Sequence, residues 1–353
     1  MNYYIAEKNT IAAAHRTAGI KARDDADAIM QKAGLCPITV TAPQDRENLS
    51  RINKLLVHFK VVWCWNKAVK SVKAGDCVLL QFPAVNHSIF LDSVIKKLKN
   101  KNVKVAALLH DLELLRLSLE GESGAAQSWR LKKEELSVMR LFDKIIVHND
   151  KMLDYINREM GIEKDRLVNL EIFDYLCEIP PQKTVENFRS VIIAGNLNPQ
   201  KCKYVYNLPE NVCFELYGPN FKGENAGNIT YHGSFDPKEL PFVLSGGFGL
   251  VWDGVSADTC TGVWGEYLKY NNPHKTSLYL ASGIPVVIWD KAALADFVIK
   301  NGCGIAVGSL CELKDRLDKI TPQMYVTMRQ NAMAVSKKLT DGYFLNKAIG
   351  EVC

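Results

Sequence analysis

The sequence predicts an α/β fold of two doubly wound, Rossmann-like domains facing across a cleft. Three observations carry this. Short apolar runs suited to buried parallel strands alternate with helical segments. The alternation restarts after a break centred on Pro180-Pro181. A chain of 353 residues exceeds one comfortable core and suits two domains. The boundaries read as an N-terminal domain over 1–172, a linker over 173–189, a second domain over 190–321, and a helix over 322–353 that returns to the first domain.

In order, Tyr3 to Ala6 is a first strand and the segment from Thr17 turns into a helix, so the 17–23 loop falls at a strand's carboxyl end, where such sheets bind ligands. Residues 45–70 are mixed helical sequence with Trp63 and Trp65 and have no sharp placement. Cys77 to Phe82 is a buried strand, Ser88 to Lys99 an amphipathic helix, and Val103 to Leu109 the next strand. That strand delivers His110, Asp111 and Glu113 to its carboxyl end as candidate acid/base groups, Asp111 foremost. His110 equally suits a structural cap. Residues 120–127, with two glycines, read as a mobile loop; Trp129 to Phe142 is helical, Lys144 to Val147 a strand, and a helix runs from His148 to Gly161. Val168 to Ile172 closes the first half. In the second, strands are expected at 190–194, 213–217, 229–232, 249–252, 286–288 and 304–307, with helices at 292–301 and 310–320 and one long amphipathic run at 322–351.

Asn271 to Ile288 is the stretch the rest serves. Asn272 suits a helix cap, Pro273 its first position and Gly283 its left-handed close. His274 and Lys275 then place basic groups in the first turn, where the helix dipole favours acids. A bound anion resolves the conflict: backbone N–H groups, Lys275 and the Thr276 and Ser277 hydroxyls would seat a phosphate or diphosphate. Lys201, Lys203 and Tyr217 also fall on the cleft side of their strands, where surface charge and a core aromatic are the plainer readings.

Apolar content of 47% and charged content of 24% describe a globular chain. The net charge of +5 is too small and scattered for nucleic acid, but fits an anionic substrate or loose attraction to an acidic membrane. No amphipathic anchor is evident, and no apolar run approaches the ~20 residues that span a bilayer. Met1 to Lys8 lacks the pattern of a secretory signal, and the 10 cysteines include no Cys-x-x-Cys pair. These features read as a cytoplasmic protein with reduced cysteines, at most peripheral at the inner face of the membrane. Oligomeric state is unreadable, and a homo-oligomer is allowed.

Gly-x-Gly-x-x-Gly and the kinase-type phosphate loop are both absent. Nothing stands at metal-ligand spacing, so no metal and no cofactor are expected, and leaving-group charge would be met by helix N–H groups and Lys275. A transferase using a nucleotide-activated donor fits best.

Pro-x-Lys leading into a helix, and Gly-x-Pro-Val after it, resemble the donor-binding segment of the GT-B glycosyltransferases. Gly19-x-Lys21-Ala22-x-x-Asp25, Leu109-His110-Asp111, Ala194-Gly195-Asn196-Leu197, Gly233-Ser234-Phe235, Trp252-Asp253-Gly254, Glu266 to Lys275 and Ile288 to Phe297 resemble, more specifically, the bacterial β-1,6-galactofuranosyltransferases of lipopolysaccharide O-antigen assembly. More distantly the chain is similar to the glucosyltransferase that extends N-acetylglucosamine on streptococcal adhesins. The resemblance implies a GT-B fold with an acceptor-side first domain, a UDP-sugar donor, most simply UDP-galactofuranose, an inverting transfer, and a glycan or lipid-linked glycan acceptor. It implies that Thr17, Gly19, Asn196, Lys201 or Lys203, Tyr217, Asp253 and Asn272 through Ser277 hold UDP, with Lys275 on the diphosphate. Many GT-B enzymes place a ribose-binding Glu where Leu278 stands, leaving Ser277 or Glu266 for that contact. The competing readings are a UDP-glucose-dependent transferase acting on a glycoprotein and a catalytically silent homologue that binds a glycan or a partner.

Overall fold

A computed structural model describes residues 1–8, 18–42, 50–121, 125–180, 185, 187–225 and 227–353. The chain forms two compact units. The first takes the described parts of Met1–His15, Ala26–Leu170 and Leu345–Cys353, the second those of Arg16–Asp25 and Glu171–Phe344.

In chain order the first half runs β1 (Asn2–Glu7), α1 (Ala18–Lys32), β2 (Cys36–Val40), α2 (Arg51–Ala68), β3 (Cys77–Phe82), α3 (Leu91–Asn100), β4 (Lys104–Leu109), α4 (Glu113–Glu120), α5 (Ala125–Leu131), α6 (Ser137–Met139), β5 (Lys144–Val147), α7 (Asp150–Met160) and β6 (Leu167–Asn169). The strands form one parallel sheet in the order β2-β1-β3-β4-β5-β6. β3 lies against β4 in register from Cys77 opposite Lys104 to Phe82 opposite Leu109. β3 is buried along its whole length, which is why it reads as an apolar run broken only by Gln81. The side chain of Asn149 accepts from the Met152 N–H to cap α7, and Gly161 closes that helix at φ 65°.

The second half holds β7 (Val191–Ala194), β8 (Phe214–Tyr217), β9 (Ile229–Tyr231), α8 (Leu240–Val243), β10 (Phe248–Val251), α9 (Gly262–Tyr267), α10 (His274–Ala281), β11 (Val286–Trp289), α11 (Ala295–Lys300), β12 (Gly304–Val307), α12 (Leu313–Asp318), α13 (Pro322–Asp341) and α14 (Tyr343–Val352). Its parallel sheet runs β12-β11-β10-β7-β8-β9. Counted within the unit this is the order of dinucleotide-binding domains, and strand order reverses between β7 and β10, the place where such sheets bind ligands.

Several expectations are corrected. The terminal amphipathic run is two helices, because Gly342 adopts a left-handed conformation at φ 78° between α13 and α14. Residues 125–127 open α5, and 122–124 lie outside the described residues. The 129–142 helix is interrupted by a π-helical turn at Lys132–Leu136. Phe173, Asp174 and Tyr175, expected in a linker, are buried. Cys77 and Cys353, expected as free thiols, are joined by a disulfide across 276 residues, a separation that no spacing rule connects. Among the described residues, no helix is long and apolar enough to cross a membrane.

Candidate functional site

In the second unit, β10 carries the chain to Trp252-Asp253-Gly254, beside the turn after β7. Lys275, in the first turn of α10, reaches back to this strand end. Its Nζ donates to Trp252 O and Asp253 Oδ1, each at 2.9 Å. An ammonium has three donors, so two are occupied here by the protein. Pro273 is the residue before the helix, one later than the expected cap at Asn272. No side chain caps α10, and its first turn holds no acid. α2, α7 and α13 are each capped by a Ser, Asn or Thr side chain, whereas α3, α9 and α11, like α10, are not. The start of α10 therefore presents a positive dipole end with no side-chain cap, its Thr276 N–H turning back to Pro273 O at 3.0 Å.

Thr276 is fully buried, and among the described residues its Oγ1 meets no hydrogen-bond partner. The other expected seat residues serve the protein itself. Asn272 Nδ2 donates to Glu171 O at 3.2 Å and Ser277 Oγ to Phe173 O at 2.6 Å. The His274 ring lies 5.6 Å from the Phe173 ring and 5.8 Å from that of Tyr175. These contacts fix the helix against the strap at 171–176 and so aim its amino end.

The ring of Tyr279 packs on Gly249 of β10, and its hydroxyl accepts from the Ala194 N–H at 2.7 Å. α10 is thereby pinned to both strands flanking the switch point. Gly195 and Gly218 follow β7 and β8, and a Cβ on Gly218 would collide with Gly195 O. Asn196 is exposed in this turn, its Oδ1 accepting from the Asn198 N–H and from Asn220 Nδ2. Lys201 Nζ lies over the Trp264 ring, 4.8 Å from its centroid, and Lys203 is exposed. Tyr217 is buried, stacked on His232, with its hydroxyl accepting from the Ser245 N–H; its place is that of a core aromatic. Gly19 is exposed in α1, and Thr17 lies outside the described residues.

Lys21 and Asp25, noted only as part of a motif, form a buried ion pair. Lys21 also donates to Leu176 O and lies over the Tyr175 ring, while Asp25 accepts from the Leu176 N–H. The spacing of four on a helix could have flagged this pair; the strap it holds could not be read from sequence.

In the first unit, His110, Asp111 and Glu113 do gather at the carboxyl end of β4. Gln81 Nε2 donates to Asp27, so Gln81 Oε1 accepts from His110 Nε2, both at 2.6 Å. This relay accounts for His110 structurally. Asp111 is half exposed, with the Arg116 guanidinium 3.8 Å away, and Glu113 is paired with the same guanidinium. Sequence reading missed Arg116 and also Glu135. Glu135 is buried and accepts from the Glu113 and Leu114 N–H groups at 3.0 and 2.9 Å, supplying the cap that α4 lacks locally. Burial pushes its carboxyl up to about 7 against those two hydrogen bonds. His148, wholly buried beside β4, is held down to about 4 by burial, although its ring hydrogen-bonds the backbone at His110 and Leu109. Among the described residues, no three His, Cys, Asp or Glu side chains group as metal ligands.

Two parallel-sheet, doubly wound units make up the GT-B fold. Sucrose-phosphate synthase from Thermosynechococcus elongatus shares the fold at a TM-score of 0.66 and 13% identity, covering 99% of this chain and 97% of that one. So does WaaG, a glycosyltransferase of lipopolysaccharide biosynthesis, at 0.55 and 11%, covering 100% and 99%. Models of the N- and C-terminal domains of glucosyltransferase 3-like proteins match residues 2–172 and 191–352. The β-1,6-galactofuranosyltransferase WbbI of Escherichia coli K12 is 34% identical over 98% of this chain and 97% of its own length. Glucosyltransferase 3 of Streptococcus gordonii is 28% identical over 79% of each. The chain belongs to the glucosyltransferase 3-like family.

Proposed function

We propose that this glycosyltransferase moves galactofuranose from UDP-galactofuranose, with inversion, onto a sugar hydroxyl of a cell-surface polysaccharide precursor. The donor sugar is supported by the end-to-end similarity to a β-1,6-galactofuranosyltransferase. The single observation that supports a UDP-linked donor is the uncapped start of α10 with Lys275 beside it at the end of β10. In this reading the diphosphate takes the remaining Lys275 donor at the positive end of α10, and the Thr276 hydroxyl adds to it. The acceptor hydroxyl forms its bond to the anomeric carbon as the bond to UDP breaks. The electron pair leaves with the diphosphate, whose charge Lys275 and the helix N–H groups meet without a metal, and the hydroxyl proton passes to Asp111. Glu113 is the reserve, but the pairing of its carboxylate with Arg116 makes it the less available base.

A UDP-glucose donor is the second reading, favoured by the glucosyltransferase 3-like models matching both halves. Measuring UDP release with UDP-galactofuranose and UDP-glucose separately, plus glycan acceptors, separates the two. Turnover with UDP-galactofuranose alone is expected; turnover with UDP-glucose alone overturns the donor assignment. Failure to bind UDP by calorimetry would leave a silent homologue.

A further inference from the structure

α2 has two apolar faces, and only one is covered. Val61 and Trp65 are buried against the first unit, at 0% and 1% exposure. On the opposite side Ile52, Leu55, Leu56, Phe59 and Trp63 recur at helical spacing and are 73%, 43%, 58%, 54% and 61% exposed. An apolar stripe of this kind on an outer face marks an interaction surface.

Charge says what would cover it. From Ser50 to Gly75 the sequence has six Lys or Arg and no Asp or Glu. Lys54, Lys60, Lys67, Lys70 and Lys73 are exposed, and Lys60 and Lys67, seven apart, run along one edge of the stripe. Lys67 Nζ lies over the Trp63 ring, 5.4 Å from its centroid. Phe59 is braced by stacking on Phe90 at 4.9 Å, which holds the stripe in place. Bulky apolar and aromatic side chains edged by lysines match the boundary between acyl chains and anionic headgroups. A second copy of this chain would bring the same uncompensated positive charge against it.

We propose that α2 is a membrane-docking surface that lies in the headgroup region of an acidic bilayer, inserting Leu56, Phe59 and Trp63 with Lys60 and Lys67 on phosphate groups. This goes beyond the donor assignment and does not depend on it. The absence of an evident anchor in the sequence has a simple origin: with apolar residues on both faces, no polar face marks the helix as amphipathic.

The test is co-sedimentation of the full-length protein with vesicles of equimolar phosphatidylglycerol and phosphatidylcholine, and with phosphatidylcholine alone. The protein is expected to pellet with acidic vesicles, weakly with neutral ones, and less as salt rises. Leu56→Asn/Trp63→Ser should weaken partitioning to acidic vesicles at least about tenfold while leaving thermal unfolding unchanged. Lys60→Gln/Lys67→Gln should weaken it by about thirtyfold without affecting neutral vesicles. Equal pelleting of wild type and both variants overturns the proposal. So does a dimer that Leu56→Asn/Trp63→Ser converts to monomer with no wild-type binding to acidic vesicles, which would mean that a second copy covers the stripe.

Discussion

At the scale of single residues, Asp111 and Lys275 carry the proposed chemistry. Asp111 is half exposed and pairs with Arg116 at 3.8 Å, His110 is bonded to Gln81, and Glu113 is paired with the same Arg116. Asp111→Asn should lower kcat by about 10²–10⁴-fold in a UDP-release assay and leave UDP affinity unchanged, the signature of a lost base. Near-normal turnover in that variant would assign the proton elsewhere. Asp111 was legible in the sequence because an apolar strand ends just before it. Asp253 as the partner of Lys275 was not, since the two are 22 residues apart and only the sheet brings them together.

At the scale of elements, helix α10 depends on a close fit to β10. Gly249→Ala would drive a Cβ into the near end of the Tyr279 ring, which cannot swing away. It should cost about 1–3 kcal/mol or more in denaturant unfolding and weaken UDP binding by tilting the helix start; unchanged stability would mean the ring is not the pin. Helix α4 makes a pH-dependent case. Glu135 binds its proton more tightly folded than unfolded, so its contribution to stability falls as pH rises from 4.5 to about 7. His148 does the reverse, its contribution being lost as pH falls from 6.5 to about 4, so the two oppose each other over much of that range. Glu135→Gln should therefore gain stability relative to wild type as pH rises through that first window, measured by denaturant melts at about pH 5 and about pH 7. A difference that does not change with pH would show that Glu135 is not held protonated. The elements themselves were unequally legible. β3, β5 and β12 stand out as apolar runs, whereas β2 was missed because Pro37 and alternating exposure mark an edge strand. α2 was blurred by its two apolar faces, and the strap at 171–176 has no periodicity because it is held by side chains from distant positions, Lys21, Asn272 and Ser277 among them.

At the scale of the whole molecule, the strand order of the second unit was only half visible. Repeated strand and helix segments announce a doubly wound sheet, but the reversal between β7 and β10 that locates the ligand belongs to pairing, not to any local run. The central claim is that the uncapped start of α10, with Lys275 tethered to Asp253, seats the diphosphate of a UDP-sugar. Calorimetric titration of UDP into wild type and Lys275→Ala tests it most directly. Wild type should bind UDP, and Lys275→Ala should bind about ten- to a hundredfold more weakly while melting at an unchanged temperature. Equal UDP affinity in the two proteins would contradict the claim and move the diphosphate away from this helix.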